Sequence, residues 1–135
     1  MYSKDFDAWT TVKKRIHEEE RTVNIRKGEI RWVSFGVNVG SEIDGKGVSF
    51  ARPALIAHVI GSRLALVVPI TSKMKDFAGY VPFAWKDKEN ALCIHQMRIV
   101  SQKRILHRLG RISTNRLREY ARKIANFYSF PPSGN

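Results

Sequence analysis

At 135 residues and 15.5 kDa, with 43% hydrophobic and 27% charged residues, the chain is long enough for one domain with a genuine core and too balanced for wholesale disorder. Its net charge of +12 is concentrated late: residues 98–123 hold nine Lys or Arg against Glu119 alone, which favours a polyanionic partner, nucleic acid before membrane. The longest apolar run, Leu64 to Ile70, is far too short to span a bilayer, no apolar signal core opens the chain, and the single Cys93 excludes an internal disulfide or a thiolate-rich zinc site, so a cytoplasmic protein is expected.

Ser3 can cap a helix running to about residue 20, with Asp5 in its first turn and Phe6, Trp9, Val12 and Ile16 at near-helical spacing. Its apolar face must dock, either on its own domain or on a second copy. From Gly28 the texture turns to short runs rich in Val, Ile and aromatics: GEIRWVSF, RPALIAHVI, RLALVVPI, YVPFAW and ALCIHQMRIV read as strands. Gly61 and Ser62 predict a tight hairpin between the second and third, and KDKEN separates the fourth from the fifth. LHRLGRIS reads as a sixth strand. Ser113 then caps a final helix with Leu117, Tyr120, Ala121, Ile124 and Phe127 on one face, ended by Pro131 and Pro132. No helix interrupts the first five strands, so a small, mostly antiparallel sheet or barrel is expected rather than parallel βαβ units.

The segment GSEIDGKG, residues 40–47, comes one residue short of a phosphate-binding P-loop, because Gly47 stands where the magnesium-binding hydroxyl belongs. Its context also fails. A phosphate cradle opens onto a helix whose N–H groups meet the phosphates, whereas VSFARPALI reads as a strand, and Glu42 and Asp44 would put negative charge inside the cradle.

The series KGEIRWVSFGVNVGSE, RPALI, VVPITSK, HQMRIV and RLGRIS, followed by a helix, resembles the MazF/PemK family of toxins from bacterial toxin-antitoxin systems over residues 27 to about 128. The resemblance implies a mainly β fold with α: a small SH3-like antiparallel β-barrel with a C-terminal helix, spanning residues 27–130, with residues 1–26 an extra helical extension and 131–135 a tail. It further implies a homodimer, a cognate antitoxin as partner, and sequence-selective endoribonuclease activity on single-stranded RNA that uses no metal or other cofactor. The RP pair puts Arg52 at the family's catalytic arginine, PITS puts Thr71 at its catalytic threonine, and GSE puts Glu42 at a loop acid implicated in activity. Glu42 and Arg52 are separated by a longer insert than usual in the family. In the Kid branch an arginine and an aspartate of the fifth strand act in catalysis; Cys93 and His95 stand there instead.

RNA can be cut without metal when its own 2′-hydroxyl attacks the adjacent phosphorus, leaving a 2′,3′-cyclic phosphate and a free 5′-hydroxyl. The protein must take one proton, give another and stabilise the added phosphorane charge. A guanidinium offers forked donors to two phosphate oxygens, which suits Arg52 to that charge, and Thr71 adds a hydroxyl. The base is open between His95 and Glu42. Lys46, Lys73, Lys75 and Arg98 are expected at phosphates, Ser72 is expected among the RNA-binding residues, and Gln96 is expected to read bases with Phe50 or Phe77 stacking on them. The basic C-terminal segment extends the RNA channel, binds an acidic antitoxin, or both. Cys93 reads as a small buried residue rather than a nucleophile, and His17, His58 and His107 are too scattered to be metal ligands. The competing reading is a catalytically inactive barrel that binds RNA or protein; a topoisomerase-poisoning toxin like CcdB ranks last, since SFPPSGN lacks the Trp-Gly-Ile ending.

Overall fold

The computed structural model describes residues 3–129. In chain order it has helix α1 (Phe6–Glu18), strands β1 (Glu29–Ser34), β2 (Ala51–Ile60), β3 (Leu64–Thr71), β4 (Tyr80–Trp85), β5 (Lys88–Cys93), β6 (Arg98–Ser101) and β7 (Ile105–Arg111), then helix α2 (Thr114–Phe127). Seven strands, all paired antiparallel, form one sheet in the order β4-β5-β3-β2-β1-β7, with β6 also on β3. This is the expected SH3-like barrel with two helices, although hydrogen bonds do not close the sheet. Side chains seal the seam: Trp85 lies so close over Gly110 that a Cβ there would meet its ring at 2.5 Å, and an Arg116 nitrogen of α2 donates to the Ala84 carbonyl at 3.1 Å.

The central strands are apolar on both faces, which is why LALVVPI reads as an unbroken run rather than an alternation. Ile30, Leu55, Val68 and Ile70 face one core with Phe83, Leu92 and Tyr120, covered by Leu117, Ile124 and Phe127 of α2. Val33, Ala54, Ile56 and Val67 face the other, with Phe35, Val100 and Ile105. The Ser113 hydroxyl caps α2 as expected, accepting from the Arg116 N–H at 3.2 Å. Pro131 and Pro132 lie outside the described residues.

Three boundaries differ from expectation. The α1 cap is Asp5, whose carboxylate accepts from the Ala8 N–H at 3.0 Å, in place of Ser3. The β4–β5 connection is only Lys86 and Asp87, both at positive φ (49° and 62°), a two-residue hairpin turn whose backbone twist matches the strands. ALCIHQMRIV is two strands instead of one, with a 3₁₀ turn, Ile94–Gln96, between them. Residues Ile70 and Thr71 of β3 pair with β5, and Leu64 to Val67 pair with β6. Val68 and Pro69 lie between the two pairings, and Pro69 has no N–H to give a neighbour, so the chain opposite bulges away.

Helix α1 packs on its own chain. Trp9, Val12 and Ile16 bury against Val37 and Phe50, the two ends of the long β1–β2 loop. Among the described residues no helix is long and apolar enough to cross a membrane.

Candidate active site

The β2–β3 hairpin, with Ala54 opposite Pro69, brings Arg52 and Thr71 to the same end of the sheet. Both line a central cavity of about 210 Å³, with Ser41, Ile43, Lys73, Lys75, Tyr80, Cys93 and Gln96. Arg52, Lys73 and Lys75 contribute three cations to its lining, and among the described residues no carboxylate lines it. That charge favours an anion over a cation in the cavity.

Arg52 is half-buried and its orientation is fixed from below. Its Nε donates to the Asp44 carbonyl at 2.9 Å and one terminal nitrogen reaches the Ile70 carbonyl at 3.5 Å. These contacts set the plane of a five-donor fork at the cavity wall. The Thr71 hydroxyl accepts from the Lys73 N–H at 3.2 Å, which turns the chain sharply after β3 and keeps Lys73 beside it.

Two further cavities adjoin the central one. A second, about 440 Å³, is lined by Asn38, Glu42, Ile43, His95, Gln96, Met97 and Arg98, sharing Ile43 and Gln96 with the first. A third, also about 440 Å³, shares Arg52 and Thr71 and adds Trp32, Lys46, Ser72 and Asn90. Ten of the twelve candidate residues line this set of adjoining cavities, and Phe50 and Phe77 do not. Within it, Glu42 and His95 stand in the second cavity and neither lines the one that holds Arg52 and Thr71.

The family model for PemK-like, MazF-like toxins of type II toxin-antitoxin systems matches residues 26–128. The chain belongs to that family. MazF from Deinococcus radiodurans superposes with a TM-score of 0.60 at 18% identity, covering 82% of this chain and all of the other. A mycobacterial endoribonuclease, solved with its cognate antitoxin, gives 0.57 at 14%, covering 81% and 99%. Mycobacterium tuberculosis toxin MazF-mt6 gives 0.57 at 15%, covering 77% and 99%. At these identities the likeness is one of fold. No curated protein sequence matches the chain.

Against the MazF/PemK expectations, several side chains have structural work. The Glu42 carboxylate accepts from the Val39 N–H at 2.8 Å and closes its own exposed turn. Gln96 bridges the loop, accepting from the Ile43 N–H at 3.1 Å and donating to the Ser41 carbonyl at 2.9 Å. Phe50 packs edge-on against Trp9, ring centroids 5.7 Å apart. Phe77 is half-exposed and packs on His95 and Tyr80. The His95 Nδ1 is buried without a hydrogen-bond partner, sealed against Gly79 and those two rings. Any proton that this imidazole moves passes through Nε2.

The basic run at 98–123 does not form one face. Only Arg98 lines the groove. Arg104 donates to the Ser34 carbonyl at 3.1 Å and stacks on Trp9, Arg108 pairs with Glu29 at 3.6 Å, and Arg116 lies over Phe83. Tyr80 and Trp32, aromatic groups in the groove, carry no sequence mark, since their strands predict burial as readily as exposure.

Cys93 lines the central cavity yet is buried, and burial pushes its thiol up to about 11, a rise partly offset by Arg52 and Lys75. Its thiolate is scarce at neutral pH. Alkylation of the native protein by iodoacetamide at pH 7.5 is expected to run more than about a hundredfold slower than that of the denatured chain; comparable rates would mean an accessible, activated thiol.

Proposed function

We propose that this chain is an endoribonuclease toxin that cuts single-stranded RNA at selected sequences without metal and is held in check by a cognate antitoxin, working as a homodimer in the cytoplasm. The observation that carries the reading is the pairing of Arg52 and Thr71 in a cavity with three cations and no acid. The 2′-oxygen gives its proton to a base and attacks phosphorus; the P–O5′ bond breaks and the departing 5′-oxygen takes a proton. Arg52 and Thr71 hold the non-bridging oxygens as charge builds on them, and Lys73 and Lys75 hold flanking phosphates. Trp32 and Tyr80 offer rings on which unpaired bases stack.

The base belongs to the adjoining second cavity. We assign it to His95, because one Glu42 oxygen already closes a turn. His95→Ala should lower the rate by about 10²–10⁴-fold and flatten the acid limb of the pH–rate profile. A parent-like profile would remove His95 from the mechanism, and a flattened one in Glu42→Gln would move the role to Glu42.

The test of the activity itself is a long mixed RNA incubated with purified protein in EDTA, with product ends mapped. Discrete cuts bearing 2′,3′-cyclic phosphates are expected. RNA that stays intact across buffers while still binding would favour the inactive-barrel reading, toward which the engaged Glu42 carboxylate and the sealed side of His95 point.

A further inference from the structure

Residues before position 26 lie outside the family match, yet they hold the loop next to Arg52. The Lys4 ammonium donates to the Asn38 carbonyl at 2.6 Å and to the Gly40 carbonyl at 2.8 Å, and pairs with the Asp44 carboxylate at 3.4 Å. Neither end of that pair is well exposed, at 19% for Lys4 and 10% for Asp44. The other Asp44 oxygen accepts from the Asn38 N–H at 2.7 Å, and the Asp44 carbonyl is the acceptor for Arg52 Nε. One ammonium therefore reaches the catalytic guanidinium through a single residue.

Helix α1 grips the loop at both ends as well. Trp9 lies over Gly36 so closely that a Cβ there would come within 2.2 Å of its ring. The same ring holds Phe50, which sits at φ 48°, a conformation that a bulky residue keeps only when its surroundings impose it. Arg104 stacks on Trp9 at 5.5 Å while donating to the Ser34 carbonyl at the start of the loop. A long glycine-rich loop would otherwise sample many conformations, and ordering it at the moment of reaction would cost rate.

We propose that the N-terminal segment is a built-in brace of the active site, with Lys4 a positioning residue that fixes the β1–β2 loop and, through Asp44, the Arg52 fork. The inference rests on the catalytic role proposed for Arg52. Lys4 touches no group assigned to substrate, so its loss acts on geometry rather than on RNA binding.

The test uses the full chain carrying Lys4→Met, which keeps the Asp5 cap and the Trp9 and Val12 packing, with Lys4→Arg as the conservative partner. In Lys4→Met, amide hydrogen exchange across residues 38–46 should quicken while that of β2 and β3 stays as in the parent. The kcat for a single-stranded RNA should fall roughly tenfold to a hundredfold with KM held within about threefold, and Lys4→Arg should restore most of it. Unchanged exchange overturns the brace. Quickened exchange with parent kcat, or a raised KM with parent kcat, overturns positioning of Arg52. If the parent itself leaves RNA intact, the endoribonuclease reading falls by that result, and the exchange comparison still decides the brace.

Discussion

Arg52→Ala should cleave single-stranded RNA about 10²–10³-fold more slowly than the parent in single-turnover assays, with far-UV circular dichroism unchanged. The magnitude follows from what the side chain does in a cavity of about 210 Å³. Its orientation is set in advance by the Asp44 and Ile70 carbonyls, so no reorganisation is needed when charge develops on the phosphorane. Arg52→Lys should recover little, because a point ammonium cannot hold those carbonyls and a phosphate in one plane. A rate within about threefold of the parent would show that Arg52 is not the charge stabiliser.

Gly45→Ala should be the most damaging single methyl in the loop. A Cβ at Gly45 would stand 1.7 Å from the Phe50 carbonyl oxygen and 2.6 Å from the Ala51 nitrogen. Both are backbone atoms, so no side chain can swing aside. The clash forces apart the close strand-like approach in which Gly45 N–H donates to the Gly36 carbonyl at 2.9 Å and Lys46 N–H to the Ala51 carbonyl at 2.8 Å. Overpacking of this kind costs about 1–3 kcal/mol or more, which for a chain of this size lowers Tm by roughly 3–15 °C. It also moves Asp44, the neighbour that holds Arg52, so cleavage should fall alongside stability. Gly47→Ala is the control: beyond its chain neighbours nothing described lies within 4 Å of its Cβ position and only its φ of +76° is unfavourable, a strain of about 1–2 kcal/mol. Thermal unfolding of the two variants should separate them; equal losses would mean that the crowding at Gly45 relaxes freely.

Local chemistry made much of the fold legible. Short runs rich in Val, Ile and aromatics mark the strands, Ser113 marks the start of α2, and Gly61 with Ser62 marks the hairpin that in the folded chain places Arg52 and Thr71 at one end of the sheet. What was not legible depends on partners distant in sequence. The break at Ile94–Gln96 follows from Pro69 on another strand. Asp5 and Ser3 are equally good caps in isolation, and only the docked helix chooses. The near P-loop offered glycines and acids without saying which residue mattered; the Asp44 backbone carbonyl ties the loop to Arg52, while the Glu42 carboxylate closes its own turn. Lys4 gave no sign at all, because a lysine before a helix is ordinary until the loop it holds is in view. The basic run from Arg98 carries a different lesson: charge adds up along a sequence, but in the fold Arg104, Arg108 and Arg116 are drawn into separate contacts.

RNA binding at the central cavity is measured most directly by amide chemical-shift mapping of the labelled protein with a short single-stranded RNA carrying 2′-O-methyl groups, which removes the attacking hydroxyl and leaves the phosphates. The largest shifts are expected at Arg52, Thr71, Lys73, Lys75 and Cys93, around the central cavity. Shifts confined to Arg111, Arg118 and Arg122, near and on α2, with none at the cavity, would contradict it.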